Sequence, residues 1–368
     1  MFRTILFFFL LSISFPSISQ DLPESVETVK DTVRKVRNRP IVIPIIFYTP
    51  ETQFAVGVGG TYTFHLGHDT TDARPSNYQF GGIITQLKQI AFYIPFQLYF
   101  KRELYNVYGE FSYYRFNYYF FGIGNNPVPV KENYGVTFPR LRLTALRLLC
   151  KNLYGGIRYS LDNFDITNVD PGGLLHLGTI TGSSGGRVSS LGLTLKYDSR
   201  DNIFYPTKGY FAELYAQADD QWTGSNFNFL RSSIDLSAYY STSFHHTMCL
   251  NFNATAETGN PPFYDLSLLG GSRKMRGFYE GRFRDKDLVA AQAEYRMPLF
   301  WRIGSAVFVS GGYVAGHLTD LQIMNLHLSY GGGIRYTIDR KQKINLRLDY
   351  GITNNGENGL YVLISEAF

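Results

Sequence analysis

Residues 270–299, reading GGSRKMRGFYEGRFRDKDLVAAQAEYRMPL, hold the side chains best placed to do chemistry in this 368-residue chain. A glycine-rich loop carries five arginine or lysine residues up to Arg284 and contains the string Arg276-Gly277-Phe278. A segment of alternating polarity follows: Ala290, Gln292, Glu294 and Arg296 fall on one face, and Val289, Ala291, Ala293 and Tyr295 on the other. The chemistry on offer is ionic rather than covalent. A guanidinium taken out of water demands a carboxylate, and a solvated loop arginine is the alternative. Catalytic constellations are poor elsewhere. His245 and His246 share a short turn and His317 lies near Asp320, but no Gly-x-Ser-x-Gly nucleophile motif accompanies them, so the chain does not read as an enzyme. Cys150 and Cys249 lack metal or redox spacing and read as two unpaired thiols.

The elements that must position these groups read as strands. From about residue 41 onward, runs of roughly 9 to 12 residues alternate in polarity, the length of a tilted strand crossing a bilayer. Ile344, Leu346, Leu348 and Tyr350 share one face, and Asn345, Arg347 and Asp349 the other. Leu191, Leu193, Leu195 and Tyr197 alternate with Gly192, Thr194, Lys196 and Asp198, and Met248, Leu250, Phe252 and Ala254 with Cys249, Asn251, Asn253 and Thr255. Period two predicts sixteen strands: 41–48, 54–66, 77–87, 90–100, 105–116, 136–149, 153–162, 188–198, 209–218, 226–241, 247–258, 287–297, 303–315, 326–338, 343–353 and 359–368. An even number permits closure into an antiparallel transmembrane barrel. Short connections (101–104, 150–152, 244–247, 298–302, 339–342) and long ones (117–135, 163–187, 259–286) fall on opposite parity, as expected if both ends of the chain face the periplasm. The connection 67–76 is long on the short side.

Composition agrees. Phe 30, Tyr 28 and Trp 2 accompany 36 glycines, a combination suited to a barrel ringed by aromatics around a polar lumen. Soluble propellers and sandwiches need no such outward ring. At the start, Arg3, an apolar run over residues 5–11, and the small residues Ser17 and Ser19 read as a secretory signal peptide over 1–19. Its removal takes away Arg3 and lowers the formal charge from +5 to +4, too mild an excess to imply a nucleic-acid partner. The segment 20–40 reads as short and periplasmic. Leu22, Val26, Val29, Val33 and Val36 would line one face of an amphipathic helix, with Glu24 and Glu27 early and Lys30, Arg34, Lys35 and Arg37 late; a frayed linker is the alternative. Pro40 and Pro44 lack amide hydrogens and predict thin pairing between the first and last strands, with prolines that merely mark a barrel rim as the alternative.

With loop and strands placed, residues 40–368 resemble the barrel domain of the BamA/TamA/FhaC superfamily, the bacterial surface antigen barrels. The resemblance implies that the 259–286 loop folds from the outside into the lumen. There Arg276, followed by Gly277 and Phe278, would pair with Glu294 on the next strand as a latch, and a bidentate pair would fix the loop in register. The family's Phe-x-Asp-x-Gly element corresponds to Phe308-Val309-Ser310-Gly311-Gly312, so Ser310 stands where a second acid belongs; Asp349 or Glu257 is the alternative source of charge. Tyr197–Asp201 with Pro206–Gly209 matches a family turn signature, read here as a plain turn. Phe368, preceded at alternate positions by Ile364, Val362 and Leu360, resembles the family's C-terminal insertion signal.

The resemblance further implies an outer-membrane location in a Gram-negative bacterium, no cofactor, no metal, and a role in inserting outer-membrane proteins or exporting polypeptides through the first/last-strand seam. Expected partners are outer-membrane lipid, client polypeptides and a separate periplasmic or lipoprotein partner. The last is expected because residues 20–40 are too few for even one periplasmic polypeptide-transport-associated repeat. A passive pore or structural barrel is the competing class.

Overall fold

The computed structural model describes residues 41–64, 66, 76–101, 103–127, 131–242, 245–320, 322–340, 343–364 and 366–368. The expected signal peptide, the 20–40 segment, Pro40 and nearly all of the 67–76 connection lie outside the described residues. Eighteen strands follow in order. The first eleven are β1 (Ile41–Thr49), β2 (Gln53–Phe64), β3 (Ser76–Thr85), β4 (Ile90–Phe100), β5 (Tyr105–Phe120), β6 (Glu132–Cys150), β7 (Leu153–Thr167), β8 (Gly186–Asp198), β9 (Gly209–Asp219), β10 (Phe229–Ser241) and β11 (Thr247–Gly259). Then come β12 (Ser267–Leu269), β13 (Phe283–Asp285), β14 (Asp287–Phe300), β15 (Ile303–Ala315), β16 (His327–Asp339), β17 (Ile344–Thr353) and β18 (Asn358–Ile364). All but β12 and β13 close into one antiparallel barrel, each strand beside its neighbour in this order, with β11 next to β14 and β18 next to β1. The sixteen-strand barrel expected from period two is therefore the fold.

Alternation places the side chains as the sequence pattern requires. On β8, Leu191, Leu193 and Leu195 are exposed on the outer face, while Ser190 and Thr194 are buried inside. On β17, Leu348 and Tyr350 face out, and Asn345, Arg347 and Asp349 are buried. An apolar outer belt costs little against lipid, and inward polar groups need partners that only a lumen can supply.

Two features depart from the expected pattern. First, β5, β6 and β7 run to 16, 19 and 15 residues, longer than a bilayer crossing needs. Second, part of the lumen is aromatic rather than polar. Tyr114, Phe116, Tyr118 and Phe120 on β5, with Tyr134 and Phe138 on β6 and Phe164 on β7, point inward and pack with Phe263 and Tyr264 of the 260–286 connection. These rings are therefore core, not girdle, because a loop fills the space they face.

The ladder is uneven around the circle. β1 pairs with β2 along its whole length, from Ile41↔Thr61 to Thr49↔Gln53, and β17 pairs with β18 from Leu346↔Ile364 to Ile352↔Asn358. Between β1 and β18, Tyr48↔Val362 is the one register pair among the described residues. Pro44 faces Val58 of β2 and has no amide hydrogen to offer β18 on its other side. β18 ends at Ile364, so the last strand does not run on to Phe368 as the alternation suggested.

Candidate functional site

The connection after β11 enters the barrel as a small ribbon. β12 and β13 pair through Ser267↔Asp285, Leu268↔Arg284 and Leu269↔Phe283, and the Arg-Gly-Phe string lies in the tip between them. Leu269, Met275, Phe278 and Phe283 pack with Leu288, Ala290 and Val314 of the wall in one buried apolar cluster. Glycines make room for the tip. A Cβ on Gly312 would stand 2.6 Å from Leu269 and 2.7 Å from the Met275 sulfur, and one on Gly351 would stand 2.4 Å from the Arg276 carbonyl oxygen. At Gly277 the backbone takes φ 117°, a conformation other residues adopt only with strain.

This seat delivers Arg276, 1% exposed, to two carboxylates at once. Its Nη1 is 2.6 Å from Glu294 Oε2 of β14 and 2.7 Å from Asp349 Oδ2 of β17. The guanidinium carbon lies 3.5 Å from the centre of the Phe308 ring. The contact differs from the expected bidentate pair: one nitrogen bridges two acids, while the plane stacks on an aromatic face, which a planar cation does well. Ser310, expected as latch support, is not part of it. Its hydroxyl pairs with the Ser329 hydroxyl at 2.7 Å, and Asp349 stands in as the second acid. Glu257 serves the base of the loop instead, accepting from Arg231 at 2.9 Å and from Ser267 at 3.0 Å.

Around Arg276 the cluster is larger than the sequence reading supposed. Arg296 donates to Glu294 at 2.7 Å, and Arg347 donates to Asp349 at 3.1 Å and to the Ser272 carbonyl at 3.0 Å. Arg335 pairs with Asp349, lies 3.5 Å from Glu294, and donates to Glu366 at 2.9 Å. Four buried arginines thus share three buried carboxylates. Sharing of this kind fixes geometry, and taking away Asp349 leaves the buried Arg347 without a carboxylate partner. Arg296, Arg347 and Asp349 were visible as inward positions, and Arg335 follows from the same alternation on β16. Glu366 carried no such signal because it lies past the end of β18.

Beyond Ile364 the chain turns into the lumen. Glu366 also accepts from Asn345 at 3.0 Å, and the Phe368 main-chain oxygen accepts from Arg296 at 3.0 Å. Phe368, expected at the end of a membrane strand, instead sets its ring 5.8 Å from the Arg296 guanidinium. The turn after β8 behaves as a turn: Asp201 accepts from the Thr207 and Lys208 amides at 2.7 and 3.1 Å.

The tip has further anchors. Tyr361 of β18 accepts from the Gly277 amide at 3.0 Å and donates to the Phe278 carbonyl at 3.2 Å. Glu51, in the turn between β1 and β2, accepts from the Glu280 amide at 2.8 Å. Burial, with the Glu280 carboxylate beside it, raises the Glu51 pKa above the ordinary carboxyl value. Arg282 pairs with Glu357 of the β17–β18 turn at 2.7 Å.

A closed sixteen-strand barrel with an arginine-tipped loop seated in its lumen defines a class, the transmembrane β-barrels whose lumen receives a folded-in loop. The Omp85 superfamily domain matches residues 78–368, most of the chain, and the protein belongs to that superfamily. Solved structures with a similar fold include BamA from Haemophilus ducreyi lacking POTRA domains 1–3, with TM-score 0.59 and 14% identity over 89% of this chain and 70% of that one. CdiB from Escherichia coli (TM-score 0.58) and CdiB from Acinetobacter baumannii (0.54) are each 10% identical over 88% of this chain. The chain spans only 62% and 59% of those two CdiB chains. No protein of curated function matches the sequence.

Proposed function

We propose that this barrel works in the outer membrane of a Gram-negative bacterium, inserting outer-membrane proteins or exporting polypeptides by opening between β1 and β18. The observation that carries this reading is the contrast within one barrel between a near-unpaired seam and a rigidly seated loop. A seam with one register pair among the described residues opens at little cost, and its free edges can template a client strand. Arg276, bridged to Glu294 and Asp349, acts as the latch that keeps loop and wall in register while the seam moves. Client polypeptides, outer-membrane lipid and a separate periplasmic or lipoprotein partner are the molecules this activity requires. Phe368 serves the chain's own recognition for insertion.

The passive pore is the competing reading, and the loop packed inside the lumen argues against it. The test is a strain whose only copy carries Arg276→Ala. Expected is a fall in assembled outer-membrane proteins or exported polypeptide at unchanged barrel abundance, with low single-channel conductance for the parent protein in planar bilayers. Normal assembly and export in that strain, or wide steady conductance from the parent protein, overturns the proposal.

A further inference from the structure

The lumen loop touches both sides of the seam, and it does so within four residues of chain. On the β18 side, the Tyr361 hydroxyl is fully buried and holds the Gly277 amide at 3.0 Å and the Phe278 carbonyl at 3.2 Å. On the β1 side, the Glu51 carboxylate is 6% exposed and holds the Glu280 amide at 2.8 Å. Arg282, two residues further on, pairs with Glu357 in the turn leading into β18. Where strand pairing among the described residues offers only Tyr48↔Val362, a second path of hydrogen bonds therefore runs from β18 through Gly277–Glu280 to the first hairpin.

We infer that the loop tip is a clamp holding the β1–β18 seam closed from inside, with Tyr361 and Glu51 as its two jaws. The backbone of Gly277–Glu280 makes a suitable bar. It is fixed at one end by Arg276 on Glu294 and Asp349, and it is packed through Phe278 against Phe283 and His327. Neither jaw contributes to the arginine-carboxylate cluster, so the clamp can release while the latch stays set. Each jaw works through a backbone group of the loop, so its strength follows from the hydroxyl or carbonyl-type oxygen it presents and not from net charge. As a control on strand opening, the clamp rests on the function proposed above; as a property of the barrel, it stands without any client.

Amide hydrogen exchange on the full chain in lipid nanodiscs tests the clamp directly. Tyr361→Phe removes the hydroxyl and keeps the ring, and Glu51→Ala removes the acceptor. Each is expected to speed exchange in β1 and β18 about fivefold to tenfold, the range a net hydrogen bond or two supports, and to leave β8–β11 at the parent rate. Glu51→Gln keeps an oxygen for the Glu280 amide and is expected to exchange like the parent. Unchanged β1 and β18 exchange in both Tyr361→Phe and Glu51→Ala overturns the clamp, and so does acceleration spread equally over β8–β11. Because no client is present, the assembly outcome of the Arg276→Ala strain is judged separately, and either result can fail without the other.

Discussion

At the residue scale, the site depends on which carboxylates share the buried guanidinium groups. The sequence showed Arg276 and Glu294 through a resemblance and showed Asp349 as an inward position. It offered Asp349 or Glu257 as the source of charge in place of Ser310 but could not choose between them, because such a replacement conserves charge in space rather than in sequence. The two residues make opposite predictions. Asp349→Ala strips a carboxylate from Arg276, Arg335 and Arg347 together, and breaking buried pairs of this kind costs about 3–5 kcal/mol. Ser310→Ala loses one hydroxyl pair with Ser329, a loss of about 1 kcal/mol. Reversible urea unfolding of the two variants in detergent, or their heat-modified gel mobility, is expected to rank Asp349→Ala far below Ser310→Ala. Equal destabilisation would return Ser310 to the latch.

At the element scale, period two made the sixteen barrel strands legible, since a strand with lipid on one side and a lumen on the other must alternate. What fills the lumen was less legible. The ribbon of β12 and β13 has three residues a strand, too short for any period. Composition suggested aromatics ringing the barrel and gave no sign that those of β5–β7 face inward, because alternation gives two faces without saying which is which when both are apolar. The early end of β18 has a different cause: Glu366 is drawn inward to Arg335 and Asn345, which ends strand geometry before Phe368. The wall glycines supply the element-level test. A Cβ at Gly351 would come within 2.4 Å of the Arg276 carbonyl, whereas at Gly316 it would meet nothing within 4 Å. Gly351→Ala is expected to lift the loop tip and admit trypsin at Arg273, Lys274 and Arg276 in the folded barrel, while Gly316→Ala stays as resistant as the parent. A resistant Gly351→Ala barrel would mean the tip is not held by its fit to β17.

At the scale of the whole molecule, strand pairing and loop seating are opposed in strength around one ring. Among the described residues strand pairing is sparsest where the barrel's ends meet, and it is there that the loop reaches across from inside. Glu51 joins these two regimes, and the cost of burying its charge gives the stability of the barrel a pH dependence whose sign can be worked out. Its pKa is raised in the folded state by burial and by the nearby Glu280 carboxylate, while the unfolded value stays near the ordinary 4.5. Between those values the folded protein binds the extra proton. Its contribution to stability is therefore present in full below the ordinary carboxyl range and is lost as pH rises through the folded pKa. Other groups titrate over the same range, so the informative quantity is the difference between the parent and Glu51→Gln, which is neutral at every pH. Urea midpoints measured from pH 8 down to about pH 4.5 should show Glu51→Gln gaining on the parent at the alkaline end, with the two converging on acidification. A constant gap across that range would mean that Glu51 meets the Glu280 amide without any cost of burying its charge.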